Sequence, residues 1–237
     1  NYRKLFYTLE GLDTRNHLAG LLERVGESPL IRVFTGAEIR KLEGFIGNYK
    51  TMVATKAGEE LLEHGVVIVA TGAYELETDE YLYGASDRVV TQRELERLIA
   101  EKDVKALGTK SVVMIQCVGS WIPERPYCSR YCCSEAIKNA LKLKEVDPDR
   151  DVTIIYRDIR TFGLKEDYYK KAREANVMFV RYDEDRKPEV KDEGGRIVVS
   201  VFDPILNEKI AMPADLLALS VGTVPNPENA DIGKMLK

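Results

Sequence analysis

Cys117, Cys128, Cys132 and Cys133 are the only cysteines in this chain of 237 residues, and they fall in one short window. Cys117 ends the apolar run Ser111-Val-Val-Met-Ile-Gln-Cys117. The others follow in Arg125-Pro-Tyr-Cys128-Ser-Arg-Tyr-Cys132-Cys133. Isolated cysteines are usually small buried hydrophobes. Four thiols spaced C-x10-C-x3-C-C, with none elsewhere, read instead as the ligand set of one inorganic centre.

The spacing narrows the chemistry. Cys128 and Cys132 would share one helix face, whereas Cys133 would lie about 140° around from Cys128. The motif must therefore straddle a helix start or distort it. A cuboidal [4Fe–4S] core suits such a splay, because its irons sit at separated corners. Four thiolates on that core leave net negative charge, which a helix N-terminus and Arg125 or Arg130 would offset. Zinc is the rival, but four-thiolate zinc sites usually pair two short C-x2-4-C units, and this chain has one. Redox-active thiols and plain buried thiols are the remaining readings.

Composition sets the background for that centre. Hydrophobic residues make up 44% and charged residues 31%, the balance of an ordinary globular protein with a good core. The formal net charge is −4 with both signs interleaved, so no basic face points to nucleic acid. No apolar run approaches the roughly 20 residues that span a bilayer, so we expect no transmembrane segment. No signal-peptide pattern is present. Clustered cysteines argue against a secreted disulfide framework and for a reducing cytoplasm. The chain starts at Asn1 rather than Met, and we expect an internal piece of a longer polypeptide.

The elements that must position the cysteines follow from periodicity. Asp13 or Thr14 can cap a first helix with the stripe Leu18, Leu21, Leu22 and Val25, ended by Gly26. Leu30–Phe34 reads as β-rich. Residues 38–55 alternate around Gly47-Asn48, as in an antiparallel meander. Gly65–Ala70 is a continuous apolar run, expected as a strand buried on both faces of a parallel sheet. Thr91-x-x-Glu94 is a capping box before a helix with Leu95, Leu98 and Ile99 on one side. Beyond Lys110, strand 111–117, the cysteine loop, helix 129–145, strand 152–156, helix 165–175 and strand 177–182 alternate. Gly194-Gly195 separates a hairpin, and Asp215–Gly222 is another apolar strand.

This pattern predicts an α/β fold of two Rossmann-like, nucleotide-binding units with antiparallel meander insertions. Residues 1–105 would be part of the first nucleotide-binding-type domain plus linker. Residues 106–224 would be a degenerate NAD(P)-binding-like domain carrying the cysteines, and 225–237 would begin the return. A Rossmann unit places G-x-G-x-x-G after its first strand to cradle a pyrophosphate. Here Cys117 to Cys128 occupy that position, with Gly119 as the one glycine and Pro123 and Pro126 stiffening the loop. The turn Ala70-Thr71-Gly72 could let a ligand approach the backbone closely, although many strands end this way. His17 and His64 sit in no motif and read as structural or solvated.

Cys117-Val-Gly-Ser, Pro126-Tyr-Cys128-Ser-Arg-Tyr-Cys132-Cys133, Ala136-Ile-Lys-Asn-Ala140 and Tyr156-Arg-Asp-Ile-Arg-Thr-Phe-Gly163 closely resemble the family of heterodisulfide reductase A subunits. The resemblance runs from about residue 30 to 225. It implies a flavoprotein of the thioredoxin-reductase type whose second domain has lost pyridine-nucleotide binding. It further implies that Cys117, Cys128, Cys132 and Cys133 ligate a [4Fe–4S] cluster. Ala70, Thr71 and Gly72 become the flavoprotein signature turn, and Ile39 a contact to the adenine of FAD. The implied function is an oxidoreductase acting on sulfur groups, which passes electrons between FAD and the cluster toward partner subunits. Family members carry a glycine-rich FAD loop and further cysteine motifs that this chain does not contain, and Tyr7-Thr-Leu-Glu-Gly-Leu12 has no cysteine where some members place them. The alternatives are a disulfide or polysulfide reductase attacking through Cys132 or Cys133, and a zinc-stapled scaffold.

With its phosphate loop replaced, the second domain should not bind NAD(H) or NADP(H). Calorimetric titration should detect no binding there, and micromolar affinity would contradict the reading.

Overall fold

The computed structural model describes residues 5–236. In chain order the elements are α1 (Thr14–Glu27), β1 (Glu38–Phe45), β2 (Asn48–Thr55), β3 (Gly58–His64), β4 (Ala73–Glu75), β5 (Val89–Thr91), α2 (Gln92–Ala100) and α3 (Val104–Leu107). They continue with β6 (Ser111–Val118), α4 (Cys132–Val146), β7 (Asp151–Tyr156), α5 (Glu166–Glu174) and β8 (Met178–Arg181). Then come β9 (Glu189–Asp192), β10 (Ile197–Asp203), β11 (Glu208–Ala214), β12 (Leu216–Val221), β13 (Thr223–Pro225) and α6 (Asn229–Met235). The chain divides into two compact units: one runs up to Leu18 and resumes over Glu75–Thr223, the other comprises Ala19–Tyr74 and the stretch from Val224.

The larger unit is built on a five-stranded sheet of order β5-β12-β6-β7-β8, in which every neighbouring pair is parallel. Its strands read as unbroken apolar runs because both faces are covered. Val112 and Met114 of β6 face the cluster formed with α2, α4 and α5 through Leu95, Ala136, Ile137, Ala140, Leu143 and Ala172. Val113 and Ile115 face the opposite cluster, with Ile197, Val199 and Val201 of β10. That second layer is the antiparallel sheet β11-β10-β9. The expected α/β core with an antiparallel addition is thus present in this unit.

α2 begins with the capping box read from the sequence: Thr91 Oγ1 accepts from Glu94 N, and Thr91 N donates to the Glu94 carboxylate. α4 is fixed at three places. Its apolar face packs on the sheet. Near its far end, the buried Arg150 guanidinium donates to the carbonyls of Leu143, Thr109 and Leu107. In its middle, Lys138 Nζ donates to Glu96 Oε2 of α2 at 2.7 Å and to Tyr7 O at 3.0 Å. Glu96 Oε1 accepts from Phe6 N at 2.7 Å and from Tyr7 N at 3.4 Å. The Tyr7 hydroxyl donates to Asn139 Oδ1.

The smaller unit contains the meander β1-β2-β3; its first turn is Ile46-Gly47, one residue before the Gly47-Asn48 pair expected from the sequence, and Asn48 opens β2 opposite Phe45. His64 is structural, with Nε2 at 2.7 Å from Thr51 Oγ1 and its ring stacked on Tyr49. Two expectations fail here. Leu30–Phe34 forms no strand, and neither does Gly65–Ala70. Val66 and Ile68 are 69% and 86% exposed. An apolar run becomes a buried strand only when neighbouring strands satisfy its backbone and layers cover its faces, and among the described residues none pairs with it. The five-stranded parallel sheet belongs to the larger unit, and 65–70 does not form the second one expected. The apolar stripe of α1 likewise leaves Leu21 and Leu22 exposed.

Removing one member of the buried pair strands the other's charge away from water. Lys138→Met should therefore cost about 3–5 kcal/mol, read as a lower urea midpoint. Lys142→Met, which breaks the more exposed Lys142–Glu145 pair on the same helix, should cost less than about 1 kcal/mol. Equal shifts would show that the buried pair contributes no more than a surface one.

Candidate metal centre

β6 delivers Cys117 to the C-terminal edge of the parallel sheet, and α4 starts with Cys132 and Cys133. Cys128 lies before the helix, so the motif straddles its start, one of the two arrangements the spacing requires. All four are free thiols; Cys132 and Cys133 are buried, Cys117 and Cys128 half-buried. They are close enough to influence one another. Cys117 feels Cys133 and Cys128, Cys132 feels Cys133 and Cys117, and Cys133 feels Cys128.

Loop 119–131 has its own scaffold. Trp121 N donates to Tyr127 O, while Ile122 and Arg125 exchange backbone hydrogen bonds around Pro123 and Glu124. Arg125 Nε donates to Gly119 O. Tyr127 Oη donates to Thr223 O at 3.1 Å, and Ser129 Oγ accepts from Thr223 N at 3.0 Å. These hydrogen bonds, rather than apolar packing, hold the loop's conformation. Cys117, Trp121 and Arg130 all have left-handed backbones, with φ of +64°, +57° and +66°. Each non-glycine residue held there costs about 1 kcal/mol or more, and such strain concentrates at functional sites.

Burial dominates the electrostatics. It pushes the Cys117 thiol up to about 12, and raises Cys132 and Cys133 as well. Glu135, in the first turn of α4, is pushed up to about 7 mainly by burial. Backbone groups of Arg157 and Arg160 act in the opposite sense on Cys117 and Cys133. Arg130 N donates to Cys128 Sγ at 3.3 Å, and Cys133 Sγ donates weakly to Asp158 O at 3.7 Å. Thiols neutralised by burial are poor nucleophiles, since the thiolate is the attacking form.

The donor set fits a multi-iron core. Four thiols are the donor type that an iron–sulfur core takes, although among the described residues no three His, Cys, Asp or Glu side chains are grouped as a site for a metal ion. Ligands of one zinc would crowd at about 2.3 Å from it, whereas a cubane spreads its four thiolates over separated corners. Orphaned polar atoms lie in the surrounding sequence positions. Both amide atoms of Gln116, beside Cys117, are buried without a partner among the described residues, as is Ser134 Oγ, beside Cys133. Ser220 Oγ, on the strand paired with β6, is a third.

The sequence points to Arg125 or Arg130 for charge compensation, and the structure differs. It commits the Arg125 side chain to the Gly119 carbonyl and uses the backbone of Arg130. The guanidiniums that act on the thiols belong to Arg157 and Arg160 in the loop after β7. The signal for them in the sequence is the position of Arg157-Asp-Ile-Arg160 at the end of a strand adjacent to β6.

The flavin-site candidates lie in the smaller unit. Ile39 is on β1; Ala70, Thr71 and Gly72 are on exposed chain leading to β4. No hydrogen bond or strand pairing among the described residues joins Ile39 to that turn. Gly72 has φ of +73° and nothing within 4 Å of where a Cβ would stand, which leaves its backbone open to a ligand.

No family model matches the chain. It is 40% identical over 202 residues to the iron-sulfur A subunit of CoB–CoM heterodisulfide reductase from Methanocaldococcus jannaschii, covering 76% of this chain and 30% of the relative. It is 38% identical over 204 residues to the A subunit of the H2/formate:CoB-CoM heterodisulfide,ferredoxin reductase from Methanococcus maripaludis, with the same shares. The chain thus spans about 30% of the length of these relatives. Among solved structures, T. acidophilum thioredoxin reductase superposes with a TM-score of 0.50 at 14% identity, over 95% of this chain and 66% of that one. L-lysine 6-monooxygenase from Pseudomonas syringae gives 0.51 at 11% identity, over 94% and 62%. These likenesses concern the fold alone. No helix among the described residues is long and apolar enough to cross a membrane.

The loop geometry makes one position unforgiving. A Cβ at Gly119 would collide with the Leu76 side chain, and φ there is +65°. Gly119→Ala should cost about 1–3 kcal/mol, read as a lower urea midpoint. An unchanged midpoint would mean that the loop does not hold this conformation.

Proposed function

For a chain that is homologous over three quarters of its length to the A subunits of heterodisulfide reductases, we propose that Cys117, Cys128, Cys132 and Cys133 hold a [4Fe–4S] cluster. In this reading the parent protein is the electron-transfer component of an oxidoreductase acting on sulfur groups. It passes electrons between FAD and the cluster toward partner subunits of a heterodisulfide-reductase-like complex. The observation that supports this reading is the placement of Cys117 at the end of β6 and of Cys132 and Cys133 at the start of α4, with Cys128 in the loop that joins them.

When bound, the flavin supplies the two-electron step and the cluster the single-electron steps. The chain's own residues bind, orient and shield. Hydrogen bonds of loop 119–131 hold Cys128 before the helix, and α4 presents Cys132 and Cys133 from its uncapped first turn, where the helix dipole favours negative charge. Burial excludes water from Cys132 and Cys133. In the smaller unit, Gly72 would let FAD approach the backbone beside Ala70 and Thr71, and Ile39 would meet its adenine. Cys117–Cys128 occupy the place of a pyrophosphate loop, which supports a second domain without NAD(P).

Anaerobically reconstituted chain should contain about four irons and matching acid-labile sulfide, the content of a cubane. Cys128→Ala should lose the iron while its circular dichroism stays native, because the core strands bury their own apolar runs. Stoichiometric zinc without iron would favour the scaffold reading. Reactive thiols with neither metal would favour a disulfide or polysulfide reductase.

A further inference from the structure

Between β7 and α5, the chain places two guanidiniums against one ring. The Arg157 and Arg160 guanidinium carbons lie 4.4 and 4.3 Å from the centroid of Trp121, the only tryptophan. Arg157 Nη1 also donates to Trp121 O at 2.7 Å and to Ser120 O at 3.5 Å. The same short loop offers the Asp158 carbonyl to Cys133 Sγ. We propose that Arg157 and Arg160, packed on Trp121, are positioning residues that set the reduction potential of the centre held by the four cysteines. The inference rests on the cluster reading above.

The physical basis is electrostatic. Each one-electron reduction adds a negative charge to a centre already anionic from its four thiolates, and fixed positive charge nearby favours the reduced form. Each arginine has a carboxylate partner, Glu184 for Arg157 and Asp158 for Arg160. In both pairs the carboxylate is the more exposed member. The Arg157 side chain is 12% exposed and Glu184 38%, while Arg160 is 29% exposed and Asp158 51%. Water therefore screens the carboxylates more than the guanidiniums. Trp121 holds both cations while its backbone belongs to the cysteine loop, so the arginines and the ligands move as one body.

Arg160→Gln removes the charge, and Arg160→Lys, which keeps it, controls for the contacts that the Arg160 side chain makes with the Trp121 ring and with Asp158. After anaerobic reconstitution, each protein is assayed for iron and sulfide and titrated with dithionite under electron-paramagnetic-resonance detection. Fluorescence of Trp121 reports whether the loop has kept its packing. We expect full iron in Arg160→Gln with a more negative midpoint. The reduced-to-oxidised ratio at fixed potential should fall about threefold or more, where tenfold corresponds to about 59 mV for one electron. Arg160→Lys, which retains the charge, should restore the wild-type midpoint. Iron-replete Arg160→Gln with the wild-type midpoint would overturn the inference, as would Arg160→Lys behaving like Arg160→Gln. Wild-type chain that takes up no iron would instead remove the cluster reading, and this inference with it.

Discussion

A buried carboxylate and ammonium stabilise a fold only when every remaining donor and acceptor finds a partner. Glu96 and Lys138 meet that condition by recruiting the backbone ahead of α1: both Glu96 oxygens are used, and Lys138 reaches Tyr7 O as well as the carboxylate. The pair ties α2, α4 and the segment around Tyr7 into one block. Since α4 is also seated on the sheet by Ala136, Ile137, Ala140 and Leu143, its rotation and its translation are both set. The cysteine site inherits that precision, because Cys132 and Cys133 are the first two residues of the same helix.

What this rigid frame presents is costly by itself. Three thiols are held neutral by burial, three non-glycine residues are held in left-handed conformations, and polar side chains around them lack partners among the described residues. A chain selected for stability alone would repair these features. Between Gln116 and Ser134 these features occur together, and the packing of the sheet and of α4 offsets their cost. The two arginines after β7 pack on Trp121 of the cysteine loop from a second loop.

The smaller unit shows the opposite condition. Its meander is complete in itself, paired over nearly its whole length, while Val66, Ile68 and Val69 remain exposed beside it. Apolar content is necessary for a buried strand but does not create its neighbours. The chain spans about 30% of the relatives it matches, and the open approach at Gly72 is a property of that turn's own backbone.

Local patterns by themselves determined a good deal of this protein. Residues that bond only within their own turn, such as Thr91 with Glu94, declared their helix. Gly47-Asn48 declared its hairpin to within one residue, and the apolar runs of β6, β7 and β12 declared a covered parallel sheet, because periodicity and turn chemistry are properties of adjacent residues. The cysteine spacing likewise marked the window and required a helix start inside it. Only tertiary structure decided which residues serve that window from elsewhere. It turned Arg125 onto Gly119 and brought Arg157 and Arg160 onto Trp121. It also set Lys138 against Glu96 and left 65–70 without a sheet. Each of those outcomes depends on partners distant in the chain, whose approach is governed by strand order and helix packing rather than by neighbouring residues.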